Sequence, residues 1–571
     1  MKILRSELSL PALISFALVV AMLPVCANYS AHHPDERHYT DAAIQMTQSD
    51  DYLTPRTPTG ELRFRKPIAT YWFVAAGYSV FGVNPFGSRV LFVVAGSCVV
   101  FLTYLIADAL YKRKDLSILS AVLVAIHPAM LATAPRSIPD IVLALCLTIS
   151  TLGFVRFVVS ANRPSAFLML GYVGAGLAVQ SKGLPGVVFL VSVLIAIFAT
   201  DRTMLSRHKR QHVFGAIAFS IISLSWFCIM WLQHGPVVVD QFFGDQVAKR
   251  VSGSWWQPAL DLPKVGVVFL LGFAPWLPLV RRAVRRCWKH GINLSLADRR
   301  GVAILVSWCV VFLGLACFVH RVNMRYQMAI APMATLLIVG LIGQLKSRPI
   351  ERHAGRLVER LAFAVVFIVI VLGVMQPQLR LALLGCTVLV IVGNLVLRST
   401  LNREATATRR ICILASSISV IVLCLVPIAY FSLGAQRGSA CQTTLQVLEE
   451  RQLSDQPIVL VGKPAYAARL RVQSNGNAKV TCFRSTQAFD SAVDTAVEPG
   501  VLMIASAKGP ELNLRDYDII NVPHGFVNLK PGKVISTLLK RQLSSYLDSC
   551  RQSAKIAIHK RFVVKDKSGR V

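Results

Sequence analysis

The run Pro34-Asp35-Glu36-Arg37-His38-Tyr39 sets two carboxylates beside basic groups at the start of a helical pattern that continues through Met46. Neighbouring side chains leave a helix in different directions, so the two carboxyls do not share one proton; one can act as a general base while the other is structural. Taken alone, an Asp-Glu pair is more commonly an acidic helix start favoured by the helix dipole. Further along stand Lys66-Pro67 ahead of Tyr71-Trp72-Phe73, the Pro139-Asp140 step, Lys182 and Arg325-Tyr326. A lysine beside an aromatic belt ordinarily snorkels. A cation at that level also holds a phosphate, and a carboxylate near it takes the proton of an attacking hydroxyl. These groups are the minimum needed to move a substituent from a phosphate-linked lipid to an alcohol.

The elements that must position them are membrane helices. Of 571 residues, 54% are hydrophobic and 16% charged, where an average soluble protein has roughly 25% charged residues. Long apolar runs recur from residue 9 to residue 433 and then stop, which excludes a soluble single-core enzyme and describes a multi-pass membrane protein with a water-soluble tail. The net charge of +32 sits mostly in short loops between apolar runs. That pattern sets topology rather than a nucleic-acid surface. Most of the 13 cysteines lie inside apolar runs and none shows CxxC spacing, against a zinc site or a disulfide scaffold. Only Cys441 and Cys482 in the tail are plausible disulfide partners, if that tail is extracytoplasmic.

Lys2 and Arg5 ahead of Leu10 to Ala27 suit either a cleaved signal or a first span, and the retained helix is preferred. After the polar loop of residues 28–66, Pro67 to Val83 is short, opens with proline and has no basic stop. It therefore reads as an interfacial helix, and Arg89 to Tyr111 as the second span. Further apolar runs centre near residues 125, 150, 173, 192, 222, 272, 310, 335, 367, 388 and 421, giving about thirteen spans of roughly 20 residues each. With the N-terminus inside, nearly every basic cluster is cytoplasmic: Lys112 to Lys114, Arg163, Arg202 to Arg210, Arg281 to Lys289, Lys346 to Arg360 and Arg398 to Arg410. Counting Pro67 to Val83 as a span would move the Arg281 to Arg300 cluster across the membrane. The loop of residues 28–66, Asp140, Lys182, the 234–263 loop and His320 to Tyr326 then all face the outside. Ionisable groups collected at helix ends are functional candidates by default.

One ordered set of motifs resembles a known family. Pro34 to Tyr39, Thr54-Pro55-Arg56, Phe64-Arg65-Lys66-Pro67, Tyr71-Trp72 and Phe81-Gly82-Val83-Asn84 are similar to the first extracytoplasmic loop of C-type membrane glycosyltransferases. That family includes the bacterial aminoarabinose transferase of lipid A and the broader protein O-mannosyltransferase superfamily. Arg136 to Asp140, Ser181-Lys182-Gly183, Phe242-Phe243 with Lys249-Arg250, Pro275-Trp276, and Arg325-Tyr326 followed by Pro332 extend the likeness over roughly residues 10–345. The resemblance implies an inverting transfer of a sugar from a polyprenyl-phosphate carrier to an envelope acceptor, which is lipid A, another glycan or a protein. It implies Asp35 as base or acceptor-orienting carboxylate, with Glu36 beside it and Asp140 as a second acidic group. Lys66 would bind the phosphate, with Lys182, Arg250 and Arg325 as further cations, Arg37 and His38 beside them, and Tyr39 and Tyr326 lining the donor site. No nucleotide-binding motif is present, and a lipid-linked donor needs none. Two positions depart from the aminoarabinose pattern: His38 stands where it has Arg, and Arg65 where it has an acidic residue. The second argues against that family's metal site. His32 and His33, as neighbouring loop histidines, do not restore one, so neither metal nor other cofactor is expected.

The expected architecture is mainly α: a polytopic bundle over residues 1–433 with extracytoplasmic interfacial helices and a catalytic loop at about 28–87, then a small extracytoplasmic α/β domain over 434–571. In that tail a helical stretch from Gln442 to Gln452 and strand patterns at Pro457 to Val461, Val501 to Ser506 and Tyr517 to Val522 support the α/β reading. Its Lys and Arg outnumber Asp and Glu by 20 to 11, suiting anionic headgroups or glycan, or simply a solvated surface. The place implied is the inner membrane, with the active site outside. The alternative is a multi-pass transporter or lipid flippase of envelope biogenesis. Transporters place ionisable residues at the bilayer midplane in repeated halves, whereas these spans are almost free of Asp, Glu, Lys and Arg, and no repeat is visible.

Overall fold

The computed structural model describes residues 9–28, 33–248, 257–292, 295–318, 323–375, most of 399–434, 439–493, 500–505, 514–526 and 551–562, with a few single positions between. They fall into two compact units. One comprises Met1–Met22, Leu62–Thr70 and Phe92–Pro427, the other Leu23–Glu61, Tyr71–Leu91 and Ile428–Val571.

The first unit is helical. Helices occupy the apolar runs as Pro139–Val159, Ser165–Lys182, Leu184–Thr200, Lys209–His234, Leu296–Phe318, Ala331–Ile342, Ser347–Met375 and Ala407–Gly434; the run near residue 388 lies largely outside the described residues. Among the described residues seven helices are long and apolar enough to cross a bilayer, and an eighth is added if the pair Asp261–Gly272 and Ala274–His290, bent by 74°, is one span. Leu184–Thr200 and Ala331–Ile342, also expected as spans, are shorter apolar helices. The run near residue 125 is broken in two, Lys114–Ala125 and Pro128–Thr133. Pro128 lacks the N–H that would continue the ladder, and His127 stays extended so that its Nδ1 accepts from Ala129 N at 3.1 Å, capping the second piece.

Small residues let the central helices approach. Gly153 meets the backbone at Gly171, and Gly174 meets that at Ser150, where a Cβ would collide; Gly215 faces the Tyr172 ring in the same way. In an apolar solvent such close backbone contact, rather than hydrophobic exclusion, is what holds helices together.

The second unit combines the first loop with the tail. Pro34–Glu36 is one turn of 3-10 helix, continued by the helix Arg37–Ser49. The tail builds a five-stranded mixed sheet from β1 (Ile458–Gly462), β2 (Val480–Phe483), β3 (Val501–Ala505), β4 (Tyr517–Phe526) and β5 (Arg551–His559), in the order β2-β1-β3-β5-β4. β1 runs parallel to β2 and β3, with Ile458 opposite both Val480 and Val501. β5 is antiparallel to β3 and β4. Leu460, Leu470, Met503 and Ile556 form its core with the helix Ser439–Glu450.

The α/β character expected of the tail holds, and three of its strands fall where the pattern placed them. The disulfide does not form: Cys441 and Cys482 are free thiols. Each is committed to a different carbonyl, Cys441 Sγ to Tyr466 O at 3.7 Å and Cys482 Sγ to Gly462 O at 3.9 Å. Cys441 is buried in the helix-side core, and burial pushes its thiol up to about 12.

Candidate active site

In the first unit, four of the singled-out residues come together where helices end. Pro139 opens its helix at the first position and places Asp140 in the first turn, where the dipole favours a carboxylate. Asp140 is 4% exposed, and Lys182 Nζ donates to its Oδ1 at 2.6 Å. Lys182 also lies over the Tyr326 ring, 4.8 Å from its centroid. On the same tyrosine, Arg325 stacks at 4.9 Å and donates to the phenol oxygen at 3.0 Å. Asn323 fixes this corner by accepting from Arg325 N at 3.1 Å, capping the 3-10 helix Met324–Ala329. Two cations thus flank one aromatic ring, and one of them pairs with a buried carboxylate, an arrangement suited to an anionic oxygen.

Lys182 sits at the end of its helix because Gly183 cannot continue it. Gly183 has φ +83°, which L side chains rarely adopt, and the Phe242 ring occupies the space a Cβ would need. The Ser181-Lys182-Gly183 and Phe242-Phe243 motifs, distant in sequence, are therefore one contact. The segment carrying Lys66 is bound into the same unit. Gln241 Oε1 accepts from Phe64 N at 2.8 Å, Gln241 Nε2 donates to Leu62 O at 3.3 Å, and Thr70 Oγ1 donates to Ser181 O at 3.4 Å. Phe64 packs against Trp226 and His234, with centroids 6.0 and 5.4 Å away. Lys66 itself is half-buried. Arg250 lies outside the described residues.

In the second unit the Asp35-Glu36 pair divides. Glu36 is 2% exposed, and its Oε2 accepts from Arg89 Nε at 2.8 Å and pairs with Arg89 NH2 at 2.7 Å. Its Oε1 accepts from His33 N at 2.8 Å, while His33 Nδ1 accepts from Asp35 N at 3.2 Å, closing a reciprocal cap. Arg89 is fully buried and also donates to Asn28 O. Asp35 by contrast is 49% exposed, with His33 Nδ1 3.8 Å from its carboxylate. Tyr39 is buried against Tyr71, the rings 5.2 Å apart. Arg37 and His38 are half-buried on the first turn of the same helix.

Three contributors escaped the sequence reading. Arg89 was counted only as the start of a span, although a charge inside an apolar run is itself the signal of a partner. Asn323 and Gln241 gave none, since a polar residue in a loop looks solvated until its partner is known. Asp41 is a fourth silent residue: Arg471 of the tail grips it with Nε at 2.9 Å and NH2 at 2.8 Å. Among the described residues no group of three or more His, Cys, Asp or Glu could hold a metal ion.

Comparison with known proteins bears on both units. Residues 65–226 match the family model described as dolichyl-phosphate-mannose-protein mannosyltransferase. A protein of Aquifex aeolicus without assigned function is 30% identical over 219 residues, 38% of this chain and 43% of that one. The undecaprenyl phosphate-alpha-4-amino-4-deoxy-L-arabinose arabinosyl transferases of Yersinia enterocolitica and Pseudomonas aeruginosa are each 26% identical. They align over 54% and 58% of this chain and over 55% and 59% of their own lengths. The chain spans about half the length of the curated relatives it matches. The crystal structure of ArnT from Cupriavidus metallidurans bound to undecaprenyl phosphate superposes with a TM-score of 0.66 at 14% identity, covering 97% of this chain and 99% of that one. Its apo form gives 0.65 at 15% identity, covering 96% and 98%. The structural likeness establishes a shared fold, helical bundle and small sheet together. The resemblance to C-type membrane glycosyltransferases read from the motifs is borne out.

Proposed function

We propose that this chain is an inner-membrane glycosyltransferase that takes a sugar from a polyprenyl-phosphate carrier and passes it to an envelope acceptor on the extracytoplasmic face. The observation that carries the reading is the Lys182, Arg325, Tyr326 and Asp140 cluster. Two cations are held in place against an aromatic face, while the buried carboxylate orients the lysine. A leaving phosphate gains charge-assisted hydrogen bonds there as the bond to the sugar breaks. Lys66 and Arg250 are assigned to the same anion, and Arg37, His38 and Tyr39 of the first loop are assigned to substrate binding.

Asp35 is the group assigned as base. Its carboxylate is 49% exposed, so it can accept a proton from the acceptor hydroxyl. Glu36 is already saturated by a guanidinium and a backbone N–H, which suits a positioning role. The matched arabinosyl transferases and the undecaprenyl phosphate bound to the solved relative support a polyprenyl donor; the acceptor proposed is lipid A, another glycan or a protein. Aminoarabinose is one candidate sugar among pentoses and hexoses.

The test compares envelope lipids, glycans and polyprenyl-phosphate sugars by mass spectrometry in cells carrying the wild-type chain or Asp35→Asn. An acceptor lacking one sugar, with its lipid-linked donor accumulating, is the expected result and names both substrates. Identical profiles with the variant present in the membrane would return the chain to the transporter or flippase reading.

A further inference from the structure

Between Gly272 and Leu277 the chain turns by 74°. Pro275 supplies no N–H at the corner, and His353 Nε2–H donates to Pro275 O at 2.8 Å, with the Trp276 ring 5.7 Å from the imidazole. The corner is therefore fixed by the helix Ser347–Met375. Beyond it the helix Leu277–His290 turns Leu279 and Ala283 inward, both buried. The remaining circumference carries two parallel rows. Val280, Val284 and Trp288 recur at four-residue spacing, and Arg281, Arg285 and Lys289 recur one position further round, continued by Arg282 and Arg286.

Among the described residues both rows are left largely exposed, with Val280 half-buried. Trp288 is 88% and Val284 44% exposed, and an open recess of about 610 Å³ is lined by Val284, Arg285, Arg286, Trp288, Lys289 and His290. Among the described residues no carboxylate pairs with Arg281, Arg282, Arg285, Arg286 or Lys289. Positive charge accumulates further at the corner. Burial first, and then Arg356, Arg282 and Arg360, hold the His353 imidazole below its ordinary range, against the bond to Pro275.

Position decides what covers this face. The helix follows the apolar helix Gln257–Gly272 almost directly, and the candidate span Asp298–Cys317 begins eight residues after His290. So short a tether between apolar segments keeps it at the bilayer surface. A basic row beside an aliphatic and aromatic row is the pattern of a helix lying in the interface.

We propose that Leu277–His290 lies in the headgroup layer, with Val284 and Trp288 at the acyl boundary and Arg281, Arg285 and Lys289 binding the phosphates of anionic phospholipids. The full chain, purified in neutral detergent, is titrated with brominated phosphatidylglycerol or brominated phosphatidylcholine. Tryptophan quenching lost in Trp288→Phe isolates the Trp288 signal. Quenching at much lower phosphatidylglycerol than phosphatidylcholine is expected, with the preference falling roughly thirtyfold in Arg281→Gln/Arg285→Gln. Arg281→Lys/Arg285→Lys should retain it. If the glutamine variant does not fold, loss of the wild-type preference in high salt takes its place as the test. Equal quenching by the two lipids, or a preference untouched by both charge removal and salt, would overturn the proposal. So would displacement of phosphatidylglycerol by polyglutamate without any quenching of Trp288, which assigns the face to an acidic protein.

Discussion

Glu36→Ala tests whether the second carboxylate of the loop is an anchor. Glu36 and Arg89 are 2% and 0% exposed and lie 2.7 Å apart, so removing the carboxylate strands a guanidinium in a buried site. Breaking one side of such a pair costs about 3–5 kcal/mol. Replacing both by apolar residues of similar volume, Glu36→Leu with Arg89→Met, removes the stranded charge. What remains are the His33 N–H that Glu36 Oε1 satisfies and the Asn28 carbonyl that Arg89 serves, worth about 1 kcal/mol each. The double variant should therefore be more stable than either single one, Glu36→Leu or Arg89→Met, with a coupling of about 4–8 kcal/mol. Unfolding of the purified chain in mixed micelles by added SDS, read as protease cleavage within residues 33–61, measures all four corners of the cycle. A coupling below about 0.5 kcal/mol, the additivity expected of independent sites, would refute the anchor. The same variants separate structure from chemistry: the double variant should keep measurable transfer, whereas Asp35→Asn should not.

Lys182→Met should destabilise the protein by about 3–5 kcal/mol because it leaves the Asp140 carboxylate buried without its 2.6 Å partner, and Lys182→Arg should restore much of that in the same titration. Arg471→Ala removes the two bonds to Asp41 and should cost about 1.5–3 kcal/mol. Faster hydrogen exchange across Arg37–Ser49 is the readout, and unchanged exchange counts against the link. Gly183→Ala forces a positive φ on a side chain that meets Phe242, at a cost of at least about 1–3 kcal/mol; Phe242→Leu should relieve only the contact. At pH 8 Cys441 should resist iodoacetamide in the folded protein, since burial pushes its thiol up to about 12 and leaves almost no thiolate. In denaturant without reductant, both Cys441 and Cys482 should alkylate, and a requirement for reductant would show a disulfide.

Hydropathy fixed much of this protein before any coordinate was known. A run of about 20 apolar residues has few alternatives to a helix in a bilayer, so the described helices lie where the runs lie, and the tail's three most apolar strands were legible by the same rule. Residue types also announced the chemistry: lysine, arginine and carboxylate at helix ends are costly enough to be noticed. Strands β2 and β5 were not legible, because Val480–Phe483 is mostly half-exposed and Arg551–His559 alternates with polar residues, so neither forms a distinct apolar run. The divergent roles of Asp35 and Glu36 were equally hidden, since two adjacent carboxylates look alike until Arg89 arrives beside one of them. Asp140 and Lys182, 42 residues apart, became partners only when two helix ends met, and the turn after Gly272 was set by a histidine 78 residues beyond Pro275. Transfer free energy acts residue by residue and can be read along a chain. Pairing acts across space, and only the fold decides which groups lose their water together.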